Sequence, residues 1–303
     1  MDQLTVDRAA RLRPLHLIGV AEGRGAADRG CRDGPDALLA GGLADKLKAA
    51  GVPATWRDIV AAEGRSEVES IGRVCERLAD RVSSSLRTGA AVTVIGGDHS
   101  CAVGTWNGVH AHLRPRGPLG LVWVDAHMDS HIPATSPSGR LHGMPLAHLF
   151  GYGEGRLTEL GVIGPVLRPE HVALVGVRSW EEGESALLSR LGVRVMLIEE
   201  VRRRGLSAAM DEAMAIARRG TAGFGLSIDL DAVDPGEAPG VGSPVAGGLV
   251  GRDLVASCTE VARLDGLVAS EVVEYNPHRD PDGVTAHLVG ALVAACYPGE
   301  SLR

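Results

Sequence analysis

Aromatic side chains are scarce, making up 3% of 303 residues. Any core must therefore be built from Val, Leu, Ile and Ala. No apolar run approaches the ~20 residues that a membrane-spanning helix needs. The start of the chain, MDQLTVDRAARLRP, lacks the apolar segment of a secretory signal, so a cytoplasmic protein is expected. There is no basic excess: 31 Lys and Arg stand against 38 Asp and Glu, a net charge of −7. That disfavours nucleic acid and anionic membranes as partners. Five cysteines, Cys31, Cys75, Cys101, Cys258 and Cys296, are odd in number, widely spaced and form no CxxC. They read as free thiols in a reducing compartment, not as a disulfide framework or a thiolate metal site. Gly23 and Gly25 do not complete a GxGxxG nucleotide fingerprint, and no GxSxG nucleophile elbow occurs.

Short apolar runs recur instead. They span Leu15–Val20, Ala91–Ile95, Leu121–Val124, Val172–Val177, Val193–Ile198, Gly225–Ile228 and Leu267–Val273, with a weaker run at Thr55–Val60. Few alternate with polar residues, the pattern of strands buried on both faces of a parallel sheet. Helical periodicity lies between them, over Ser66–Arg87, Leu206–Arg219, Asp253–Leu264 and Val284–Ala295. Ser66 with Glu69 suggests a capping box, and Gly220 a helix stop. With no linker or repeat, this alternation predicts one α/β domain over residues 1–303. Three segments rich in Gly, Pro and Ser (19–34, 130–143 and 234–248) read as long loops, which in compact domains are usually functional.

Parallel sheets bind ligands at the carboxyl ends of their strands. There the sequence reads Gly96-Gly97-Asp98-His99-Ser100, then Asp125-Ala126-His127-Met128-Asp129, then Asp229-Leu230-Asp231, then Glu274-Tyr275-Asn276-Pro277. In extended chain, Asp125, His127 and Asp129 leave one face at i, i+2 and i+4, and Asp229 and Asp231 repeat the spacing. With His99, these six groups are too many for one metal and suit two metals sharing carboxylates. Without cations, such a cluster would repel strongly. Carboxylate-rich, thiolate-free ligands favour two Mn²⁺, with Fe²⁺ or Co²⁺ as alternatives.

The motifs GGDHS, DAHMD, SGRLHGMP (138–145), SIDLDAVDP (227–235) and EYNP, with GCRDGPDAL (30–38), resemble those of the ureohydrolase family, the arginases and agmatinases, in the family's order from about residue 15 to about 295. The resemblance implies a three-layer α/β/α fold around an eight-stranded, mostly parallel sheet. It implies that His99, Asp125, Asp129 and Asp229 bind one Mn²⁺, and that His127, Asp125, Asp229 and Asp231 bind the other. Asp125 and Asp229 would then be bridges. It further implies a small guanidino substrate, cleaved to urea and an amine, and a homotrimer or homohexamer in which Arg252 and Asp253 resemble a subunit-linking pair.

A guanidinium carbon is a poor electrophile, and metal coordination lowers the pKa of water from about 15.7 to about 7. By resemblance, Asp129 accepts and passes a proton, His142 is a proton shuttle with a near-neutral pKa, and Glu274 orients the guanidinium. Ser136 and Ser138 match hydroxyls that contact a substrate carboxylate. Glu181 and Glu184 match acidic residues near an α-ammonium, and Ser243 a small hydroxyl residue near the guanidinium. His131 departs from the pattern, standing where arginases usually carry Asn as a carboxylate contact. L-Arginine is the expected substrate, with agmatine or a guanidino acid such as guanidinobutyrate as alternatives. A metal-binding relative without turnover is a further alternative, against which the intact His142 and Glu274 argue.

Overall fold

The computed structural model describes residues 12–160 and 164–299. The first residues, read as lacking a secretory signal, therefore fall largely outside the described part. Eight strands form one sheet: β1 (Leu15–Val20), β2 (Ala54–Val60), β3 (Ala91–Ile95), β4 (Leu119–Val124), β5 (Leu167–Val177), β6 (Arg194–Leu197), β7 (Gly223–Asp229) and β8 (Leu267–Val273), in the order β2-β1-β3-β8-β7-β4-β5-β6. Every pairing is parallel, so the expected "mostly parallel" sheet is wholly so. Helices cover both faces, giving the three layers. In β4, Val122 and Val124 face one core and Leu121 and Trp123 the other. This two-sided burial is why the strands read as unbroken apolar runs.

The helix Glu67–Arg87 begins as expected, with Ser66 Oγ accepting from Glu69 N–H at 3.2 Å. The Glu69 carboxylate reaches back to Arg65 N–H at 2.7 Å and not to Ser66, so only half of the capping box forms. Several helices carry no amphipathic signal. Ala102–Leu113 is buried on nearly every side because it sits between the sheet and Glu67–Arg87. A Cβ on Gly104 or Gly108 would lie 2.7 Å from the Cys75 backbone or 2.6 Å from Ala79 O. Those glycines let two helix backbones touch. β6 ends at Leu197, one residue before the expected end, because Ile198 opens the short helix Ile198–Arg204.

The strand order matters most for function. β3, β8, β7 and β4 are the four central strands, and they carry the GGDHS, EYNP, DLD and DAHMD segments. Their ends are in register: Ile95 pairs with Val272, Val272 with Ile228, and Ile228 with Val124. The next residues along these strands therefore emerge side by side at one edge.

Candidate metal centre

Three of the four segments fix their own turn by an Asp carboxylate that accepts the backbone N–H two residues on. Asp98 Oδ1 accepts from Ser100 N–H at 3.0 Å, Asp125 Oδ1 from His127 N–H at 2.7 Å, and Asp229 Oδ1 from Asp231 N–H at 2.8 Å. Among the described residues, two that are not glycine have left-handed backbones, Asp129 with φ 48° and Glu274 with φ 67°. Such strain costs about 1–3 kcal/mol each and gathers at functional sites.

The strand ends converge on two points. His99 Nδ1 lies 3.3 Å from Asp125 Oδ2, 3.0 Å from Asp129 Oδ2 and 3.1 Å from Asp229 Oδ2. It makes no hydrogen bond with adequate geometry. His127 Nδ1 lies 3.1 Å from Asp231 Oδ2 and 3.6 Å from Asp125 Oδ1. Asp125 thus offers one oxygen to each cluster, and all of these groups but His127 are buried. For Asp229, only Oδ2 faces the His99 cluster, while Oδ1 is engaged by Asp231 N–H. Burial drives Asp229 well above the usual carboxylate range, with Asp231 and Asp125 adding to the shift. Burial likewise pushes Asp129 up to about 6, with the charge of Asp125 adding to it. An unbonded, buried imidazole nitrogen facing three carboxylate oxygens suits a cation far better than empty space. The donor set fits a pair of divalent metals sharing Asp125.

Groups not singled out in the sequence hold these ligands in place. His99 Nε2–H donates to Ser227 Oγ at 3.0 Å, and Ser227 donates to Glu271 Oε1 at 2.7 Å. Trp106 Nε1–H donates to the same oxygen at 2.6 Å. This relay assigns the proton to Nε2 and leaves Nδ1 free for a metal. The Trp123 ring stacks on His99 at 4.2 Å, and its Nε1–H donates to Asp125 Oδ2 at 2.8 Å. Ser227 lies inside a recognised motif. Glu271 and Trp123 sit in apolar runs, where sequence patterning marks them as core, and Trp106 sits in the largely buried helix Ala102–Leu113.

Beside the clusters, His142 Nδ1 lies 3.1 Å from Glu274 Oε1, which also accepts from His99 N–H at 2.9 Å. Cys31 Sγ lies 3.1 Å from Glu274 Oε2. The near-neutral His142 expected from sequence is not what this geometry gives. Burial pulls its pKa down, but the hydrogen bond and charge of Glu274 outweigh it and raise it to about 9. His142 is therefore a cation at neutral pH. A cavity of about 170 Å³ opens over the clusters, lined at its floor by His127, Asp129, Asp229 and Asp231. His99, Asp125 and Glu274 lie behind its wall. A larger cavity of about 640 Å³, lined by residues such as Leu206, Met210 and Met214, contains none of the ligating groups.

Known proteins agree with this geometry. The arginase family model matches residues 13–297. The chain belongs to the arginase family. It is 37% identical to an arginase of Bacillus caldovelox over 302 residues, covering 96% of this chain and all of that one. It is 38% identical to an arginase of Brevibacillus brevis, covering 93% and 97%. The crystal structure of arginase from Bacillus subtilis superposes with a TM-score of 0.88 at 32% identity, covering 96% of this chain and all of that one. Membership makes the chain a metal-dependent ureohydrolase.

The residues expected at the substrate's far end, His131, Ser136, Ser138, Glu181 and Glu184, also line the cavity, as does Ser243, expected near the guanidinium. His131 does not stand free for a carboxylate, as its position suggested. Its Nε2 lies 2.9 Å from Glu181 Oε2 and 3.4 Å from Glu184 Oε2, and Nδ1 lies 3.1 Å from Thr135 Oγ1. The contacts to Glu181 and Thr135 hold both ring nitrogens within the cavity wall. Glu184 Oε2 also accepts from Glu181 N–H at 3.0 Å, so this acidic pair does cap a helix start, Glu182–Leu191. Ser136 Oγ accepts from Gly139 N–H at 3.0 Å and Ser138 Oγ from Arg140 N–H at 3.2 Å, which leaves both O–H groups as donors.

Proposed function

We propose that this arginase-family chain is a binuclear manganese hydrolase that cleaves L-arginine to urea and ornithine. The observation that carries the reading is the pair of His–carboxylate clusters sharing Asp125 at the floor of a cavity whose far wall bears two hydroxyls and an acidic pair. His99, Asp125, Asp129 and Asp229 would hold one ion. His127, Asp125, Asp229 and Asp231 would hold the other. Carboxylate-rich, thiolate-free ligands favour Mn²⁺ over softer metals. When bound, the two ions would supply a water whose pKa is lowered to about 7.

The chain's own residues do the rest. Asp129, which is buried but lines the cavity floor, accepts the proton released as water attacks. It returns the proton to the departing amine. His142, held protonated by Glu274, exchanges protons with solvent and the leaving group. Glu274 fixes His142, and from behind the cavity wall its negative charge favours the guanidinium cation without pairing with the N–H fork directly. Ser243 lines the cavity near the reacting end. Ser136 and Ser138 donate to the substrate carboxylate, and Glu181 with Glu184 faces the α-ammonium.

One observation favours a second reading. His131 already occupies the acidic pair, which suits a guanidino acid without an α-ammonium, such as guanidinobutyrate. Residues 1–303 would act as one catalytic domain in the cytoplasm. The chain would assemble as a homotrimer or homohexamer, which light scattering would measure. The exposed Arg252 and Asp253, 3.5 Å apart within one chain, would be free to re-pair across subunits. Urea release from L-arginine, agmatine, guanidinobutyrate and guanidinopropionate with Mn²⁺ tests the substrate. Arginine should give the highest kcat/KM, and a clear preference for agmatine overturns that assignment. Asp129→Ala should abolish turnover, and retention of most of it rejects the role of Asp129.

A further inference from the structure

The loop of residues 19–34 reads as functional in the sequence, yet it supplies none of the ligating groups. It lies instead against the Glu274-Tyr275-Asn276 segment at the end of β8. A Cβ on Gly30 would lie 2.5 Å from the Asn276 amide, and one on Gly34 2.5 Å from Tyr275 O. These two glycines let the turn Arg29–Asp33 pack flush on that segment. Polar contacts hold it there from both ends: Arg279 Nε–H donates to Asp28 Oδ2 at 2.8 Å, and His278 Nε2 lies 2.8 Å from Asp33 Oδ2. Between them the buried Cys31 turns its Sγ to Glu274, 3.1 Å from Oε2 and 3.4 Å from the backbone O. Burial pushes the thiol's pKa up and the charge of Glu274 pushes it further, so the sulfur keeps its proton. A thiol has one hydrogen to give, and the nearer, charged oxygen takes it. The other oxygen, Oε1, accepts from His99 N–H and holds His142. The same loop touches His142 from its other side. His142 N–H donates to Gly25 O at 3.2 Å, and Gly25 N–H donates to Asp98 Oδ2 at 2.8 Å.

We propose that Cys31 is a positioning residue for the hydrolysis: its S–H fixes the plane of the Glu274 carboxylate, so that Oε1 stays turned to His142 and the proton shuttle stays in place. The inference rests on the hydrolase reading above and on the roles it gives to His142 and Glu274, not on the choice of substrate. Without the thiol, Oε2 loses the one donor it has among the described residues. The carboxylate can then turn about its last side-chain bond to find another, at the cost of the hydrogen bond to His142. Its negative charge stays in place in either orientation, so the guanidinium is favoured as before. Cys31 therefore acts on kcat, through proton transfer, and not on KM.

The test compares Cys31→Ala and Cys31→Ser with the native chain, each loaded with Mn²⁺, on whichever guanidino compound the native chain hydrolyses best. Both variants lose the sulfur, and they differ only in the hydroxyl donor. Cys31→Ala should lower kcat about 10-fold, the size of one hydrogen bond to a charged group, with KM changed by less than about threefold. Cys31→Ser, which can still donate to Oε2, should recover most of the loss. In a chain that already carries His142→Asn, Cys31→Ala should cost nothing further, because the two residues act through one contact. Infrared absorption reads the contact without turnover. The native chain should show an S–H stretch lowered by donation to a carboxylate, which vanishes in Cys31→Ala and moves up in Glu274→Gln. Equal kcat in the Ala and Ser variants overturns the proposal, as does a full further loss on top of His142→Asn, or an S–H band that Glu274→Gln leaves unmoved. If the native chain releases urea from no guanidino compound, the hydrolase reading fails instead, and the infrared band still decides whether Cys31 holds Glu274.

Discussion

Replacing Ser227 with Ala removes one oxygen, and the structure allows its consequence to be worked out. Ser227 Oγ accepts from His99 Nε2–H at 3.0 Å and donates to Glu271 Oε1 at 2.7 Å, all three residues being buried. In the variant, the imidazole N–H faces a gap, since Glu271 Oε1 lies 4.0 Å from Nε2. An unmet buried donor costs about 1–3 kcal/mol. The relay also sets which ring nitrogen is bare, so the cost falls on metal binding. Loss of such an outer partner typically weakens affinity about 10–100-fold. Competition with a chromophoric chelator for Mn²⁺ would measure it. The His99 site should weaken by that factor, while the His127 site, which has no contact with Ser227, keeps most of its affinity. Glu271→Gln, which keeps the shape and removes the charge, should give a smaller loss. If Ser227→Ala binds both ions as the native chain does while keeping its fold by circular dichroism, the relay has no part in metal binding.

Other perturbations read different parts of the molecule. His142→Asn should lower kcat about 100-fold or more, the usual worth of a positioned proton donor. A change below about threefold in urea release, with metal content unaltered, would remove His142 from the mechanism. Gly97→Ala places a Cβ 1.8 Å from Glu22 O, so the GGDHS turn must shift. Overpacking of this kind costs about 1–3 kcal/mol, read as a lower urea midpoint. His148 is buried with neither ring nitrogen bonded, and burial lowers its pKa from 6.5 to about 4. Its neutral burial therefore contributes stability above pH 6.5, which is lost as the pH falls toward 4 because only the unfolded chain takes the proton. His148→Leu should accordingly lose less stability than the native chain between pH 7 and pH 4, by up to about 3 kcal/mol in urea titrations. Equal acid sensitivity would contradict the assigned shift.

Much of the fold was legible because a parallel sheet buried on both faces writes itself as apolar runs. β1, β3 and β8 match those runs end for end. β5 starts at Leu167, before its run, because its first residues, including Arg168 and Glu170, are polar and lie where the strand enters the sheet. Helices such as Ala102–Leu113 were hidden for the opposite reason: buried all round, they show no 3.6-residue contrast. The metal ligands stood out because Asp and His clustered at three strand ends have few structural uses. Strand order could not be read from periodicity, so the adjacency of β3, β8, β7 and β4 is what the structure adds. Glu271 was invisible because a charged residue inside an apolar run reveals nothing of the tryptophan and serine it meets. His131 was recognised as a departure, but its attachment to Glu181 and Glu184 depends on a helix start brought over the loop from 50 residues away.

The sharing of Asp125 between two cations is the central claim, and metal content measures it directly. After reconstitution with excess Mn²⁺ and exhaustive dialysis, plasma mass spectrometry should find two manganese ions per native chain. It should find about one in His127→Ala and none above background in Asp125→Ala. A native chain that retains no manganese, or an Asp125→Ala chain that still retains two ions, would contradict the account.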